Sequence, residues 1–540
     1  MLTMLADERL HGHRPFGFHL TVWLLHGACA LALYGLAVRL LAPPAAALGA
    51  SLFAASPLHA EAVGWIAGRS DVLATLFGAV AVALALGGAR RDENGGGAGR
   101  GAAAPRIHDK SAGRRISNRK GALRLAGSGL AFLAALLAKE LAIAIGPVLF
   151  VAALCRRGDG SEAGRRSRAG RIARAGAAAS LPVLIYLAMR LLLDPQASAE
   201  EAQGPPMPPL TAAFWSAVYF LRRLVVPFSG APYRVAPPVS AEGAVLAIVL
   251  VSAGVLAAVR EVRRREEGRA LFLLWVGSAL AAASAAAAWG LSRTPVADRY
   301  LYLPAAGFSL ALASVLAGRG ASRRGTLNIA TTAAGWVLVA VFAAASWARS
   351  SIYADDRAFW TAALAADPSL GAAELNLGNA LARADDYPGA VEAYRRALAL
   401  DLSDADRPLA TSDLGAALYG MGRTEEAEPL LRSAARMPSA DATAQFNLGA
   451  FLYQLAMAEV RHGNQTNARP VFAEAEAALV RAVSLDPWHA KAWLVLGHSR
   501  AAQGEIARAR EAWSRALEID GADGEAGREA SAALARTSSR

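Results

Sequence analysis

The sequence predicts an all-α protein in which a polytopic membrane helix bundle is followed by a superhelix of helical repeats. About ten apolar runs occupy residues 1–350, and a repeat of about 34 residues occupies 354–540. The charge changes sign between them: 37 Lys and Arg against 18 Asp and Glu in 1–353, but 19 against 26 in 354–540. The hydrophobic share of 54% exceeds that of an ordinary soluble protein. We therefore expect two domains, 1–350 and 354–540.

The apolar runs predict membrane-spanning helices. Several are shorter than the roughly 20 residues that a perpendicular span needs, which is tolerated where short helices pack on others and line a cavity. The predicted spans are 20–41, 45–57, 71–88, 124–138, 141–155, 176–193, 243–260, 269–290, 300–318 and 327–348. A further amphipathic run, Leu210–Phe228, is predicted to be an interfacial or re-entrant helix that carries Arg222 and Arg223.

Basic clusters in alternate loops predict the orientation. They lie at 90–120, 156–174, 260–265 and 319–324, and all four reach one side if the spans alternate, so that side is cytoplasmic. The first, rich in Gly, Ala and Arg, is predicted to be disordered. Because the basic excess lies in short loops, it indicates membrane topology and no nucleic-acid partner. The protein is then a multi-pass inner (cell) membrane protein whose repeats lie on the periplasmic side.

Charged and aromatic residues are concentrated in three loops that the same parity places on the non-cytoplasmic face. Ionisable groups at the end of a membrane segment are costly unless they meet water, a partner or a substrate. The alternative is that these are solvated loops, with Trp65 as an interfacial anchor. We favour a functional site formed by His59, Glu61, Arg69 and Asp71 of one loop, Lys139 and Glu140 of the second, and Asp298, Arg299, Tyr300 and Tyr302 of the third.

The second region repeats small and large residues at the spacing of tetratricopeptide repeats, which are helix pairs that bury their faces by stacking. Successive copies carry Leu377-Gly378, Leu414-Gly415, Leu448-Gly449 and Leu496-Gly497, and the third copy contains an insertion of about 14 residues. Side-chain amides on the first helices would line a concave groove and bind the backbone of an extended peptide. A plain docking scaffold is the alternative. The groove residues are Asn376, Asn379 and Asn447.

Four segments together resemble one family. They are RPFGFHLTVWLLHGA (14–28), SPLHAEAVGWIAGRSDVLATLF (56–77), LLAKELAI (136–143) and TPVADRYLYLP (294–304). With the repeats, they are similar to the transmembrane and tetratricopeptide-repeat O-mannosyltransferase-like proteins of the GT-C glycosyltransferase superfamily. The resemblance implies a GT-C-like bundle, a polyprenyl-phosphate-linked sugar such as mannose as donor, and a protein Ser or Thr hydroxyl as acceptor.

The resemblance also implies a first span and an outer loop whose acidic pair supplies the catalytic carboxylate. The sequence begins at what resembles the end of that loop, and Asp7 and Glu8 stand too close to RPFGFH to be the pair. We expect an in-frame span and acidic loop upstream of Met1. Without them, the chain would be a non-catalytic relative or another residue would act.

The residue types fit an inverting transfer. The planar fork of Arg299 suits a departing phosphate, Lys139 adds point charge, and Glu61 or Asp71 is an available base. Neighbouring residues on a helix pair poorly, so the structural alternative for Arg299 is a partner in Glu61, Asp71 or Glu140. Tyr300 and Tyr302 would orient the donor. No metal or other cofactor is implied. The competing function is a membrane-anchored repeat scaffold without catalysis.

Overall fold

The computed structural model describes residues 2–12, 15–87, 110–155, 163–193, 208–228, 267–289, 296–318 and 329–538, together with isolated positions between 230 and 261. Within these residues the regular structure is helical throughout, which confirms the predicted fold class. The chain divides into two compact units, Met1–Ala354 and Asp355–Arg540.

The first unit is a bundle of apolar helices. In chain order they are α1 (Leu2–His11), α2 (Pro15–Ala37), α3 (Pro43–Ala54), α4 (Ala60–Gly64), α5 (Arg69–Leu86), α6 (Lys110–Ala138), α7 (Ile145–Leu154), α8 (Ala163–Leu193), α9 (Pro209–Val225), α10 (Glu267–Ala288), α11 (Tyr302–Leu316) and α12 (Ile329–Ser350). Helices α2, α3 and α5–α11 all contribute buried side chains to a shared apolar core. Trp275 is wholly buried there and donates a hydrogen bond to the Leu303 carbonyl at 3.0 Å.

Among the described residues of this unit, seven helical segments are long and apolar enough to cross a membrane. They are Pro15–Ala37, Ile66–Leu86, Gly121–Ala138, Ile172–Leu192, Gly268–Ala288, Asp298–Leu316 and Ile329–Tyr353, and the shorter apolar helices are Pro43–Ala54 and Glu140–Leu154. These nine correspond to nine of the ten predicted spans. The tenth, 243–260, falls largely outside the described residues.

Two basic segments are more helical than the sequence pattern indicates. Helix α6 begins at Lys110, so the last part of the segment predicted to be disordered, 110–120, continues as helix into an apolar span. Helix α8 begins at Ala163, inside the second basic cluster. Arg and Lys are good helix formers, so an adjoining span extends readily through them. Residues 88–109 lie outside the described residues.

The second unit consists of antiparallel helix pairs. They are α13 (Asp356–Ala366), α14 (Gly371–Arg383), α15 (Tyr387–Ala399), α16 (Asp406–Gly420), α17 (Thr424–Arg436), α18 (Ala442–Arg461), α19 (Gln465–Leu485), α20 (Ala490–Ala502), α21 (Ile506–Asp520) and α22 (Glu525–Ser538). Helices α18 and α19, of 20 and 21 residues, absorb the insertion as extra turns.

Glycine in each repeat allows the two helices of a pair to approach closely. A Cβ at Gly378 would lie 2.5 Å from the Tyr394 ring, and one at Gly497 would lie 2.4 Å from the Trp513 ring. Such contacts cannot be relieved by small shifts of a rigid aromatic side chain, so only glycine fits. The preceding leucines are buried between helices, as the repeat pattern predicts: Leu377, Leu414, Leu448 and Leu496.

Candidate functional site: a charged cluster in the helix bundle

The segment between α3 and α5 folds into three short helical turns. They are Pro57–His59, α4 and Ile66–Gly68, with an extended residue, Trp65, between the last two. A Cβ at Gly68 would lie 2.4 Å from the Ala62 carbonyl oxygen, so glycine permits the chain to fold back on itself here. This compact turn places Glu61 and Asp71 close enough to Arg299 for both carboxylates to interact with its charge.

Glu61 and Arg299 form a buried pair across 238 residues of sequence. The Arg299 side chain donates from Nη1 to Glu61 Oε1 at 2.5 Å, and its backbone N–H donates to Oε2 at 3.1 Å. The guanidinium carbon lies 5.0 Å from the Trp65 ring centroid and 4.9 Å from that of Tyr300. Arg299 therefore takes a partner from another loop and not its neighbour Asp298. Burial raises the pKa of Glu61, although the charge of Arg299 opposes the rise.

Asp71 and Lys139 form a second pair beside the first. Lys139 Nζ donates to Asp71 Oδ2 at 2.8 Å and lies 5.2 Å from the centroid of the Tyr300 ring. The Tyr300 ring thus contacts two cations, one from each pair. Glu140, the next residue, is exposed at the start of a short helical turn.

Asp298 is held by two arginines that the sequence reasoning did not assign to it. Arg223 donates to its two oxygens at 3.0 and 2.6 Å, and Arg349 donates to Oδ2 at 2.7 Å. Asp298 is only 3% exposed, and its single negative charge faces the two positive charges of these arginines. The arrangement is compatible with a structural role, and the predicted contact of Asp298 with a substrate stays a prediction. An arginine at the end of an apolar helix, as at 349, was the available signal.

Arg69 pairs with a residue that the sequence argument set aside. Its Nη2 donates to Asp7 Oδ2 and to the Phe18 carbonyl at 3.2 Å, and Thr21 donates to Asp7 Oδ1 at 2.8 Å. Asp7 and Arg69 are 3% and 1% exposed. Helix α1 is thereby tied to the start of α5, a role that spacing along the chain does not reveal.

His59 and Tyr302 lie together in an aromatic cluster with His26 and Phe53. The two rings are 4.4 Å apart, the Tyr302 hydroxyl lies 2.6 Å from His26 Nδ1, and Phe53 packs against both rings. Burial lowers the pKa of His59 well below its usual value, and nearby His26 adds to the effect, so the imidazole is neutral. Both side chains are buried, and their predicted part in substrate binding stays a prediction.

The accessible part of the cluster is a small rim. Arg299 and Lys139 each keep 13% of their side-chain surface exposed, against 2% for Arg69 and 4% for Arg223. Trp65 is 49% exposed. We define the cationic rim as Trp65, Lys139 and Arg299 together with Tyr300, whose buried ring both cations contact. Two accessible cations beside aromatic faces can bind an anion. No group of three or more metal-ligating side chains occurs among the described residues.

The three asparagines predicted to line a peptide groove bond within their own unit. Asn376 donates to the Ala372 carbonyl at 2.7 Å, and Asn379 accepts from the Tyr394 hydroxyl at 2.7 Å. Asn447 donates to Ser412 Oγ at 2.8 Å and to Asp413 Oδ1 at 3.0 Å. Each amide keeps further hydrogen-bonding capacity, so a role in a peptide groove stays a prediction.

One family model and several solved structures are similar to parts of this chain. A tetratricopeptide-repeat family model matches residues 369–440, and the chain has no match among curated proteins. Similar solved structures include YrrB, described as a TPR protein with an unusual peptide-binding site, at 24% identity over 33% of this chain and 81% of that one, with a TM-score of 0.24.

Two further solved structures are similar to parts of this chain. MamA shares 20% identity over 31% of this chain and 81% of its own, with a TM-score of 0.23. Yeast Tom70 shares 14% identity over 79% and 87%, with a TM-score of 0.22. The family match and the stacked helix pairs agree. Residues 369–440 therefore match the tetratricopeptide-repeat family, in a chain whose other unit contains helices that could span a membrane.

Proposed function

We propose that the protein transfers a sugar, mannose by family resemblance, from a polyprenyl-phosphate donor to Ser or Thr of a protein at the non-cytoplasmic membrane face. The observation that carries this proposal is the cationic rim. Arg299 and Lys139, from loops 160 residues apart in sequence, contact the same Tyr300 ring and stay partly accessible. An arginine fork and a lysine point charge together suit a phosphate ester.

The proposed chemistry is a single displacement at the anomeric carbon. A carboxylate removes the acceptor hydroxyl proton, the hydroxyl oxygen attacks, and the bond from the sugar to the phosphate oxygen breaks. Arg299 and Lys139 stabilise the negative charge that grows on the leaving lipid phosphate. The raised pKa of Glu61 favours it over an ordinary carboxylate as proton acceptor near neutral pH. Asp71, or the acidic pair that the family resemblance implies, is the alternative base.

We also propose the side of the membrane on which the site and the repeats lie. Basic loops put the cytoplasm at the opposite end of the spans, so the rim and the repeats would face the periplasm. There the repeats would hold the acceptor protein or another partner, and membrane lipid would surround the bundle.

A second candidate is a membrane-anchored scaffold without catalysis. One observation favours it. The buried carboxylates of the cluster, Asp7, Glu61, Asp71 and Asp298, each already have a cationic partner, and such a network can serve structure alone.

Substitution of Arg299 separates the two candidates. Arg299→Lys keeps the positive charge but cannot bind two phosphate oxygens at once as the planar guanidinium does. We therefore expect the rate of sugar transfer to fall about tenfold or more, with little change in folded yield. The assay measures sugar transfer from a polyprenyl-phosphate donor in oriented vesicles. Arg222→Lys, an exposed neighbour of the cluster, is the matched control.

Transfer should occur only in vesicles whose periplasmic face meets the acceptor. Full transfer by Arg299→Ala would refute the rim as donor site. Equal losses of folded yield in Arg299→Lys and Arg299→Ala, with no specific loss of transfer, would favour the scaffold.

A further inference from the structure

The strongest observation outside the membrane unit is a half-buried carboxylate, Asp413, that is bonded to a neutral amide of the next repeat. Among the described residues of the repeat unit, the acids that form ion pairs with Arg or Lys lie mostly on the surface: Asp356, Glu374, Glu392, Glu426, Glu428, Glu474, Glu476, Glu505, Glu518 and Glu525. Among the described residues, Asp413 forms no ion pair, although it is half-buried in α16. Its hydrogen bond comes from the neutral amide of Asn447 at 3.0 Å.

The surroundings of Asp413 make its charge costly. Burial raises the pKa of Asp413 to about 7; the Asn447 hydrogen bond opposes the rise, and Asp441 adds to it. The nearby Tyr394 hydroxyl is bonded to Asn379, and Arg383, which acts on Tyr394 from a distance, is already paired with Asp356. A half-buried carboxylate with no compensating charge is stabilised most by an incoming cation.

The position of Asp413 makes it accessible to an extended chain. It lies on α16, the first helix of its repeat, between the equivalent helices α14 and α18, which carry Asn376, Asn379 and Asn447. Farther along the first helices are the half-buried rings of Tyr453 and His498, stacked with centroids 6.4 Å apart. Amides that can bond a peptide backbone thus flank a single acidic position, with an aromatic surface beyond it.

We propose that the repeats bind an extended segment of a partner protein that places one Lys or Arg side chain against Asp413. The Asn447 amide holds the carboxylate in place, and the cation supplies the charge that the repeat unit lacks at this point. The net balance of 19 basic against 26 acidic residues in 354–540 adds a general attraction for such a segment. The inference deepens the proposed role of the repeats, but it does not need sugar transfer.

The test is a selection for peptides that bind the full chain, which is held in lipid nanodiscs. A display library of random dodecapeptides is panned without any sugar donor, so a failure of the glycosyltransferase proposal cannot affect the result. We expect enrichment of Lys or Arg at one fixed position among the selected peptides. The selected peptide should lose about tenfold in affinity when that residue is changed to norleucine.

Two variants assign the effect to Asp413. In Asp413→Asn, which retains an acceptor for Asn447, the selected peptide should bind about tenfold more weakly, and the norleucine peptide should bind equally to variant and wild type. Glu425→Gln removes the same charge from an exposed position and should change nothing. Circular dichroism checks folding, and the norleucine comparison on the wild type needs no variant. The proposal is wrong if no peptides are enriched, if they lack a fixed basic residue, or if Asp413→Asn leaves the affinity unchanged.

Discussion

Leu496→Asp should unfold the repeat unit under conditions where the native sequence is stable. Leu496 is 1% exposed and packs with Leu479, Ala482 and Ala512. Removing the leucine side chain alone costs about 2–5 kcal/mol, and an unpaired buried carboxylate adds to that cost. We expect the free energy of unfolding of residues 354–540, expressed alone, to fall by several kcal/mol in a urea titration followed by circular dichroism.

Val480→Asp is the matched control, since Val480 is 38% exposed on α19. It should change the free energy of unfolding by about 0.5 kcal/mol or less. Equal midpoints for Leu496→Asp and the native sequence would contradict the buried position of Leu496. A spectrum dominated by strand would contradict the repeat assignment itself.

Asp298→Ala should have the largest effect in the membrane unit. It removes the carboxylate that Arg223 and Arg349 share, and breaking such a buried network costs about 3–5 kcal/mol. In detergent, where unfolding is irreversible, we expect a lower apparent Tm and a lower folded yield by fluorescence-detected size-exclusion chromatography. Arg222→Ala, which removes an exposed arginine from the same helix, should leave both unchanged. A normal Tm for Asp298→Ala would show that the two arginines find other partners.

The fold was predictable because it depends on local patterns. Apolar runs mark the helices of the first unit, and the Leu-Gly pairs mark the repeats through a close helix approach that only glycine permits. The helix boundaries were less predictable, as the start of α6 at Lys110 illustrates. A change from a basic segment to an apolar one alters hydropathy but does not interrupt a helix.

The site was predictable in its composition but not in its pairings. Three loops were expected to converge, and Glu61 was among the expected partners of Arg299. That Asp7 pairs with Arg69, and that Asp298 is held by Arg223 and Arg349, depends on contacts between helices 51 to 75 residues apart. Such pairs have no periodicity to reveal them. The same limit applies to Asn447, whose bond to Asp413 crosses between repeats.

The most direct test of the proposed donor site is photolabelling with a benzophenone-bearing polyprenyl phosphate, followed by mapping of the labelled peptides. The proposal predicts label in the segments around Trp65, Lys139 and Tyr300, competition by unlabelled polyprenyl phosphate, and loss of that label in Arg299→Ala. Labelling confined to the outer lipid-facing helices, or labelling of these segments that persists undiminished in Arg299→Ala, would contradict it.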